Sequence, residues 1–284
     1  MWMLFPENIG PYLSIDETSL SDSELYTIVT NKAAKGRKGS IVAIVYGTMS
    51  DDVIKVLIKI KQPLRNKVKE VTLDMAANMG LIVKRCFPKA SQVTDRFHVQ
   101  KLACDALQDM RIAFRWKAIE QENTEISFAK ELKKKHVAEL LENGDTHRQL
   151  LVRSRYLLFK SRDKWSPSQI IRAEILFRHY PTLETAYKLT MKLKNIYSST
   201  KDKKVALTKL ARWYNDVENS GFEHFGTVMR SIQSHYQTIL NFFDRRSTNA
   251  SAESFNAKIK AFRSVLRGVN NIPYFLFRLK NIYA

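Results

Sequence analysis

Two short segments of the chain carry an aspartate after the same pattern of residues. Ser14–Asp16 and Thr72–Asp74 both place a small hydroxyl residue two positions before the aspartate, with an apolar residue between them. In a β-strand, residues two apart lie on one face, so the hydroxyl group and the carboxylate share a face while the apolar residue points into the core. We therefore predict that Asp16 and Asp74 each lie at a strand end and face outward. Taken alone, either aspartate is better explained as a turn or helix-capping residue.

Two carboxylates at neighbouring strand ends have a chemistry that one carboxylate lacks. Like charges brought together are destabilising unless a cation lies between them. Magnesium takes oxygen ligands and is typically held by one or two carboxylates plus phosphate oxygens. Two such ions about 3.5–4 Å apart activate an attacking oxygen and stabilise the leaving oxygen in an in-line displacement at phosphorus. Asp16 and Asp74 together thus predict a metal site for phosphoryl chemistry, and such a site usually has a third carboxylate.

Glu253 is the candidate for the third carboxylate. It is followed by six lysines and arginines and by no further acid. At helical spacing, Glu253, Asn256 and Lys260 lie on one narrow arc. The adjoining stripe is apolar and consists of Phe255, Ile259 and Phe262. Three polar residues can cap this helix, namely Ser247, Thr248 and Asn249. We predict that the helix packs on a sheet by its apolar stripe and presents Glu253 to the metal site, with Lys260 near substrate phosphates. An ordinary surface glutamate is the alternative.

The elements that must hold these residues form a sheet in the first hundred positions. Alternating or β-branched segments predict strands at residues 12–16, 24–31, 39–49, 70–75 and 90–97. Short helices are predicted near residues 52–62 and 79–87. The predicted order is three strands, a helix, a strand, a helix and a last strand. This is the order of a ribonuclease-H-like fold. The predicted fold class is therefore α/β, with a mixed five-stranded sheet and flanking helices.

From about Val99 to Asp244 the pattern is helical almost throughout. Ser166–Gln169 is a capping box with proline at the first helical position, and Gly221 is expected to separate two helices. Apolar residues from Phe225 to Phe243 form one stripe, which predicts a single helix of about five turns. We assign residues 1–110 to the first part of a catalytic core, residues 111–244 to an all-helical insertion, and residues 245–284 to C-terminal helices that complete the core.

The balance of charge indicates a polyanionic partner. The 284 residues include 47 lysines and arginines against 28 aspartates and glutamates, which gives a formal net charge of +19 and a pI near 9.8. Nucleic acid is the commonest partner of such a surface. The longest apolar runs fall far short of the ~20 residues that span a bilayer, and the amino terminus lacks a signal-peptide pattern. We therefore expect an intracellular protein with no membrane partner.

Four segments, taken in order, resemble a known family. SIDETS, VTLDMAANM, FPKASQVTDRFHVQK and NASAESFNAKIKAFR are similar to the DDE domain of bacterial insertion-sequence transposases, within the ribonuclease-H-like and retroviral-integrase-like superfamily. The resemblance covers nearly the whole chain. It implies that Asp16, Asp74 and Glu253 are catalytic and hold two Mg²⁺ ions, for which Mn²⁺ can substitute. It also implies cleavage of DNA at element ends with water as the nucleophile, followed by attack of the freed 3′ hydroxyl on target DNA.

Asp95 and His98 form a separate motif. Asp95 competes with Asp74 for the second catalytic position, because it too follows a strand-like run. Asp74 is preferred, since its strand precedes the intervening helix. Asp95 and His98 resemble the C/D-x-x-H signature of the Mutator-like and hAT-like branches. We assign them, with Asn256, a supporting role in which they cap backbone amides and orient neighbouring groups.

Basic residues near the third carboxylate are expected to contact DNA. A duplex must lie across the active site, so some of the many cations should bind backbone phosphates with an affinity that falls as salt rises. The residues assigned to this contact are Arg245, Arg246, Lys258, Lys260 and Arg263. Trp165 and Trp213 are expected to be buried in the helical insertion, with stacking on an unpaired base as the alternative.

The expected partners follow from the resemblance and from one departure from it. The expected partners are transposon ends and target DNA, and a homo-oligomer is expected to assemble on that DNA. The expected location is the bacterial cytoplasm, in association with the nucleoid. The first strand begins near residue 11, which leaves no room for the usual amino-terminal DNA-recognition modules. We expect either a separate small helix-turn-helix protein to supply recognition or the chain to be an inactive DNA-binding remnant. A ribonuclease-H-like nuclease or resolvase that cleaves without joining is the other alternative.

Overall fold

The structure is a computed structural model that describes residues 1–21, 24–266, 268–269 and 271–284. Its strands are β1 (Trp2–Leu4), β2 (Tyr12–Ser21), β3 (Glu24–Asn31), β4 (Ile41–Tyr46), β5 (Glu70–Leu73) and β6 (Ser91–Thr94). The helices of the first hundred residues are α1 (Ser50–Leu57), α2 (Gln62–Arg65), α3 (Ala77–Cys86) and the start of α4 (Arg96–Glu131). The later helices are α5 (His147–Arg153), α6 (Pro167–His179), α7 (Pro181–Ser199), α8 (Lys203–Ser220), α9 (Glu223–Ser234), α10 (Tyr236–Leu240), α11 (Phe242–Arg245), α12 (Ala250–Val265) and α13 (Ile272–Tyr283).

The six strands form one mixed sheet in the order β1-β4-β3-β2-β5-β6. The first four of these pair antiparallel, while β5 and β6 run parallel to β2. This confirms the predicted α/β class and is consistent with a ribonuclease-H-like fold that carries a helical insertion. The predicted count of five strands is wrong by one. β1 was missed because its three residues, Trp2–Leu4, are too few to show an alternating pattern.

Each face of the sheet is covered by a different pair of helices. On one face, Leu13, Ile15 and Leu73 pack with the buried side of α1 and α3, as the alternation around the two aspartates predicts. On the other face, Ile28 and its neighbours pack against α12 and α13, and Phe255 is buried in this contact. The residues on β2 that alternate with the core positions therefore face α12.

The chain divides into two compact units. The first contains residues 1–98 and 235–284, and the second contains residues 99–234. These limits differ by several residues from the predicted divisions after 110 and 244, because α4 is one continuous helix and shows no break at residue 110. The assignment of the units to a catalytic core and an insertion stays a prediction. Within the described residues, no helix has the length and apolar character needed to cross a membrane.

The helical unit contains most of the predicted local features. The capping box at Ser166 is formed in both directions, and Gly221 ends α8 in the left-handed conformation. Trp165 and Trp213 are buried, and their Nε1 groups donate to the carbonyl oxygens of Leu157 at 2.8 Å and Leu189 at 2.9 Å, which confirms the expected burial.

The predicted single helix between residues 225 and 243 is wrong. The segment is divided into α9, α10 and α11, with His235 in a non-helical conformation at φ −111°. Apolar spacing missed the break because one non-helical residue hardly disturbs a periodic pattern.

Candidate active site

Asp16 lies in the middle of a strand rather than at its end. β2 continues to Ser21, so the predicted strand end at Asp16 is wrong. On the β3 side Asp16 pairs with Ile28, but on the β5 side the last pair is Ser14 with Thr72. Continuing that parallel register by two residues brings Asp16 level with Asp74. The pairing of β2 with β5 therefore ends next to Asp16, although β2 itself continues.

Asp74 and Asp95 each follow directly after a parallel strand. β5 ends at Leu73 and β6 ends at Thr94, and these two residues are paired. Since paired residues on parallel strands are level with one another, Asp16, Asp74 and Asp95 lie in one row across three neighbouring strands. Sequence reasoning placed Asp16 and Asp74 together and set Asp95 aside. The register puts all three at the same edge.

The Asp74 carboxylate also forms a turn. Its Oδ1 accepts a hydrogen bond from the backbone N–H of Ala76 at 2.8 Å, immediately before α3 begins. This is the local role that a single aspartate after a strand most often has. The bond fixes the side chain at the carboxyl end of β5, and this position is compatible with a further role as a ligand.

α12 brings Glu253 to the same region. Phe255 and Ile259 are both 1% exposed and pack on the sheet, so the apolar side of the helix lies where the sequence predicts. One turn after Glu253, Asn256 donates a hydrogen bond from Nδ2 to Asp16 Oδ2 at 2.7 Å. Because residues three apart share one side of a helix, this bond directs the Glu253 side of α12 toward Asp16. The Glu253 side chain itself is exposed.

The acidic groups affect one another electrostatically. Burial raises the pKa of Asp16, and the carboxylates of Asp74 and Asp95 raise it further, against the lowering effects of the Glu17 N–H and of His98. Burial also raises the pKa of Glu253, followed by the Asp95 carboxylate, while His98 lowers it and Asp16 raises it. The negative charges therefore oppose one another in this region, which is the condition that a bound cation relieves.

Asp95 is the most deeply buried of these carboxylates, at 1% exposure. Its Oδ1 accepts a hydrogen bond from the backbone N–H of Asn249 at 3.2 Å, so it caps an amide at the start of α12. The Asp95 Oδ2 atom accepts no hydrogen bond from the described residues. The carboxylate lies close enough to Glu253 to raise its pKa both by charge and by a hydrogen bond that the two groups share when Glu253 is protonated. Sequence reasoning expected Asp95 to cap an amide but gave no sign that the amide would be 154 residues away.

Asn249 is the residue that precedes α12, as the predicted cap requires, but within the described part of the chain its side chain makes no capping hydrogen bond. The side chain is buried, and neither its Nδ2 nor its Oδ1 atom has a hydrogen-bond partner among the described residues. Asn249 therefore contributes to the start of α12 by its backbone N–H, which is bound to Asp95.

The donor set fits a hard divalent cation in its chemistry. Carboxylates lie on β2, directly after β5 and β6, and on α12, and among the described residues the buried Asp95 Oδ2 has no donor. Within the described part of the chain, no group of three or more His, Cys, Asp or Glu side chains is close enough together to hold a metal ion. The oxygen ligands are thus of the right kind and in one region, at separations wider than those of a bound ion.

The basic residues assigned to DNA differ in their surroundings. Lys258 donates from Nζ to the carbonyl oxygen of Gly36 at 2.8 Å, which ties α12 to the loop after β3. Arg245 lies over the Tyr12 ring at 5.2 Å and hydrogen-bonds its hydroxyl group. Arg246 lies over the Phe242 ring at 5.4 Å. The Lys260 side chain is exposed and Arg263 is half-buried.

Lys32 is a charged residue of this region that sequence reasoning missed. Its Nζ lies 3.5 Å from Glu70 Oε1 and hydrogen-bonds the Thr72 hydroxyl, with the lysine side chain only 15% exposed. Burial lowers the pKa of Lys32, while Glu70 and then Asp95 raise it. The alternation of Glu70, Thr72 and Asp74 on one face of β5 was the available signal, because a buried acid needs a cation nearby.

This fold, with an acidic row on the parallel strands and a carboxylate-bearing helix after a helical unit, is consistent with a ribonuclease-H-like domain that carries a helical insertion. A family model described as transposase, of the DDE type named for ISL3, matches residues 13–279, and the chain belongs to this family. One relative is the transposase for insertion sequence element IS1001 of Bordetella parapertussis. It is 22% identical over 273 residues, which cover 95% of this chain and 60% of the relative. The chain thus matches only about three-fifths of that protein's length.

Proposed function

We propose that the chain is a transposase catalytic domain that cleaves DNA strands at insertion-sequence ends and joins the freed 3′ hydroxyl to target DNA. The observation that supports this most directly is the hydrogen bond from Asn256 to Asp16. It links the helix that carries Glu253 to the strand that lies beside Asp74, although these parts are far apart in sequence. The family membership supports the same reaction class.

In this proposal Asp16, Asp74 and Glu253 hold two Mg²⁺ ions, which Mn²⁺ can replace. Bound ions of this kind activate the attacking oxygen and stabilise the leaving oxygen at phosphorus. The chain's own groups prepare the ligands. Asn256 and the Glu17 N–H fix the two oxygens of Asp16, and the Ala76 N–H fixes one oxygen of Asp74. Ligands that are already oriented lose less freedom when the ions and the DNA bind.

DNA is the proposed partner, in the form of element ends and target duplex. The net charge of +19 favours association with phosphate, and the exposed Lys260 lies on the same side of α12 as Glu253. Oligomerisation on DNA, end recognition by a separate helix-turn-helix protein and association with the bacterial nucleoid in the cytoplasm belong to the same proposal.

The test uses labelled duplexes that end in the element's terminal sequence, a supercoiled target plasmid and Mg²⁺ at low salt. We expect cleavage and joining by the wild-type chain, and loss of both in Asp74→Asn and in Glu253→Gln. Glu223→Gln is the matched control, because Glu223 is an exposed carboxylate in the helical unit. Equal Mg²⁺-dependent cleavage by the wild type and Asp74→Asn would contradict the assignment of the site. If the chain cleaved the ends but did not join pre-cut ends to the plasmid, it would be a nuclease, and strand transfer would be removed from the proposal.

A further inference from the structure

We propose that Asp95 is a fourth carboxylate of the metal site and holds one of the two divalent cations together with Glu253. This inference rests on the proposed function, since it concerns the same site. It differs from a supporting role for Asp95, in which the carboxylate only anchors α12.

The position of Asp95 places it in the acidic row. It follows β6 at the level at which Asp74 follows β5, and its own backbone N–H donates to the carbonyl oxygen of Leu73 at 2.9 Å. The side chain is 1% exposed. The backbone of Asp95 is held in position by its hydrogen bond to β5, so a metal ligand at this residue would have a fixed backbone.

The two oxygens of Asp95 have different surroundings. Oδ1 accepts the Asn249 N–H, but Oδ2 has no hydrogen-bond partner among the described residues. A buried carboxylate oxygen without a donor or a cation is costly, because it has lost its hydration and gained nothing in return. The unpartnered oxygen is therefore a feature that needs an explanation, and anchoring of α12 by Oδ1 does not provide one.

The neighbour of this carboxylate is Glu253. Two ionised carboxylates repel each other, and they can share a hydrogen bond only when one of them is protonated. Among the charged groups that shift the pKa of Glu253, Asp95 has a larger effect than Asp16. A divalent cation between Asp95 and Glu253 would satisfy the unpartnered oxygen and remove the repulsion. Glu253 is exposed and has a long side chain, so it can reach such an ion by a change of rotamer.

The remaining carboxylates suggest how two ions are divided. Asp16 is level with Asp74 on the neighbouring strands β2 and β5, and Asp95 follows β6 on the other side of Asp74. We assign one ion to Asp16 and Asp74, and the other to Asp95 and Glu253. Asp95 would then extend the ligand set to the β6 end of the row.

The experiment is a titration of the metal-free chain with Mn²⁺, followed by calorimetry and by the electron paramagnetic resonance of coupled Mn²⁺ pairs. The variant is Asp95→Asn, which keeps an oxygen to accept the Asn249 N–H and offers an amide donor to Glu253. We expect two ions in the wild type. In Asp95→Asn we expect at least a tenfold weaker second ion, loss of the coupled-pair signal, and an unchanged or higher melting temperature without metal. Asp109→Asn is the matched control, because Asp109 is an exposed aspartate on α4.

The outcomes separate this inference from the proposed function. If Asp95→Asn binds two ions as tightly as the wild type, Asp95 is only an anchor and the inference is wrong, even when Asp74→Asn loses an ion. If the wild type binds one ion and Asp95→Asn binds that ion as well, the inference is also wrong. If the wild type binds no Mn²⁺ and Asp74→Asn behaves in the same way, the proposed function fails, and the inference fails with it.

Discussion

The hydrogen bond between Asn256 and Asp16 allows a quantitative prediction. Asn256→Ala removes the donor at 2.7 Å from Asp16 Oδ2 and leaves the Glu17 N–H as the donor that remains on Asp16. Hydrogen bonds to charged groups contribute about 1.5–3 kcal/mol. Asp16 is only half-buried, so water can replace part of the loss, and we expect about 1.5–2 kcal/mol. The loss should also raise the pKa of Asp16 further, because that bond stabilises the ionised form.

Hydrogen–deuterium exchange measured by mass spectrometry is the suitable assay, because the chain has two compact units and a global unfolding transition need not be two-state. A loss of 1.5–2 kcal/mol corresponds to roughly 10–30-fold faster exchange in β2 and α12. Asn123→Ala is the matched control, since Asn123 is an exposed asparagine within α4 and reports the effect of alanine on helix stability. If exchange in β2 and α12 were the same in both variants, the bond would not hold α12 to β2 and the argument for the position of Glu253 would be refuted.

Three further predictions follow from the surroundings of single residues. Phe255→Ala should lower the free energy of unfolding of the sheet unit by about 3–5 kcal/mol, measured by hydrogen–deuterium exchange in β3 and β4, because the ring is 1% exposed between α12 and the sheet. Lys260→Gln should reduce the slope of log affinity for DNA against log salt by about one. Lys258→Gln should mainly reduce stability, since the Lys258 Nζ is bound to a backbone carbonyl. Equal slopes for Lys260→Gln and the wild type would contradict the phosphate contact. Burial raises the pKa of Cys86 to about 11, so its contribution to stability is complete below the ordinary thiol pKa and is lost as pH rises through about 11. The advantage of the wild type over Cys86→Ala in free energy of unfolding should therefore shrink by about 2 kcal/mol between pH 8 and pH 10.5, and an advantage that is constant over this range would show that the thiol ionises normally.

Local patterns in the sequence were sufficient for much of the fold. β3 matches its predicted residues, and the stripe of Phe255 and Ile259 packs on the sheet as expected, because both depend on neighbours close in sequence. β1 was missed because three residues carry no periodicity, and the division of the segment from Phe225 to Phe243 was missed because one non-helical residue leaves the apolar spacing intact.

The candidate site was predictable in its residue types but not in its register. Asp16 was placed at a strand end because the hydroxyl-apolar-acid pattern resembles a strand terminus, whereas the pairing with β5 alone ends there. The central position of Asp95 depends on the parallel register of β5 and β6, which a single sequence does not contain. Lys32 is buried against Glu70 and Thr72 because its side chain crosses β2 to reach β5, and the spacing of residues in the sequence does not predict such a contact.

The bond between Asn256 and Asp16 joins residues 240 positions apart, and this separation has a consequence for biosynthesis. Residues 1–98 are made well before α12 and α13, so one face of the sheet stays uncovered while the ribosome makes the helical unit. Chain segments fold in the order in which they emerge, and contacts between distant residues close last. The helical unit can therefore be complete while the nascent sheet unit still exposes apolar surface. Asp16, Asp74 and Asp95 can form their row early, whereas Glu253 joins them only after α12 has left the exit tunnel, so a chain released before that point would lack the proposed third carboxylate.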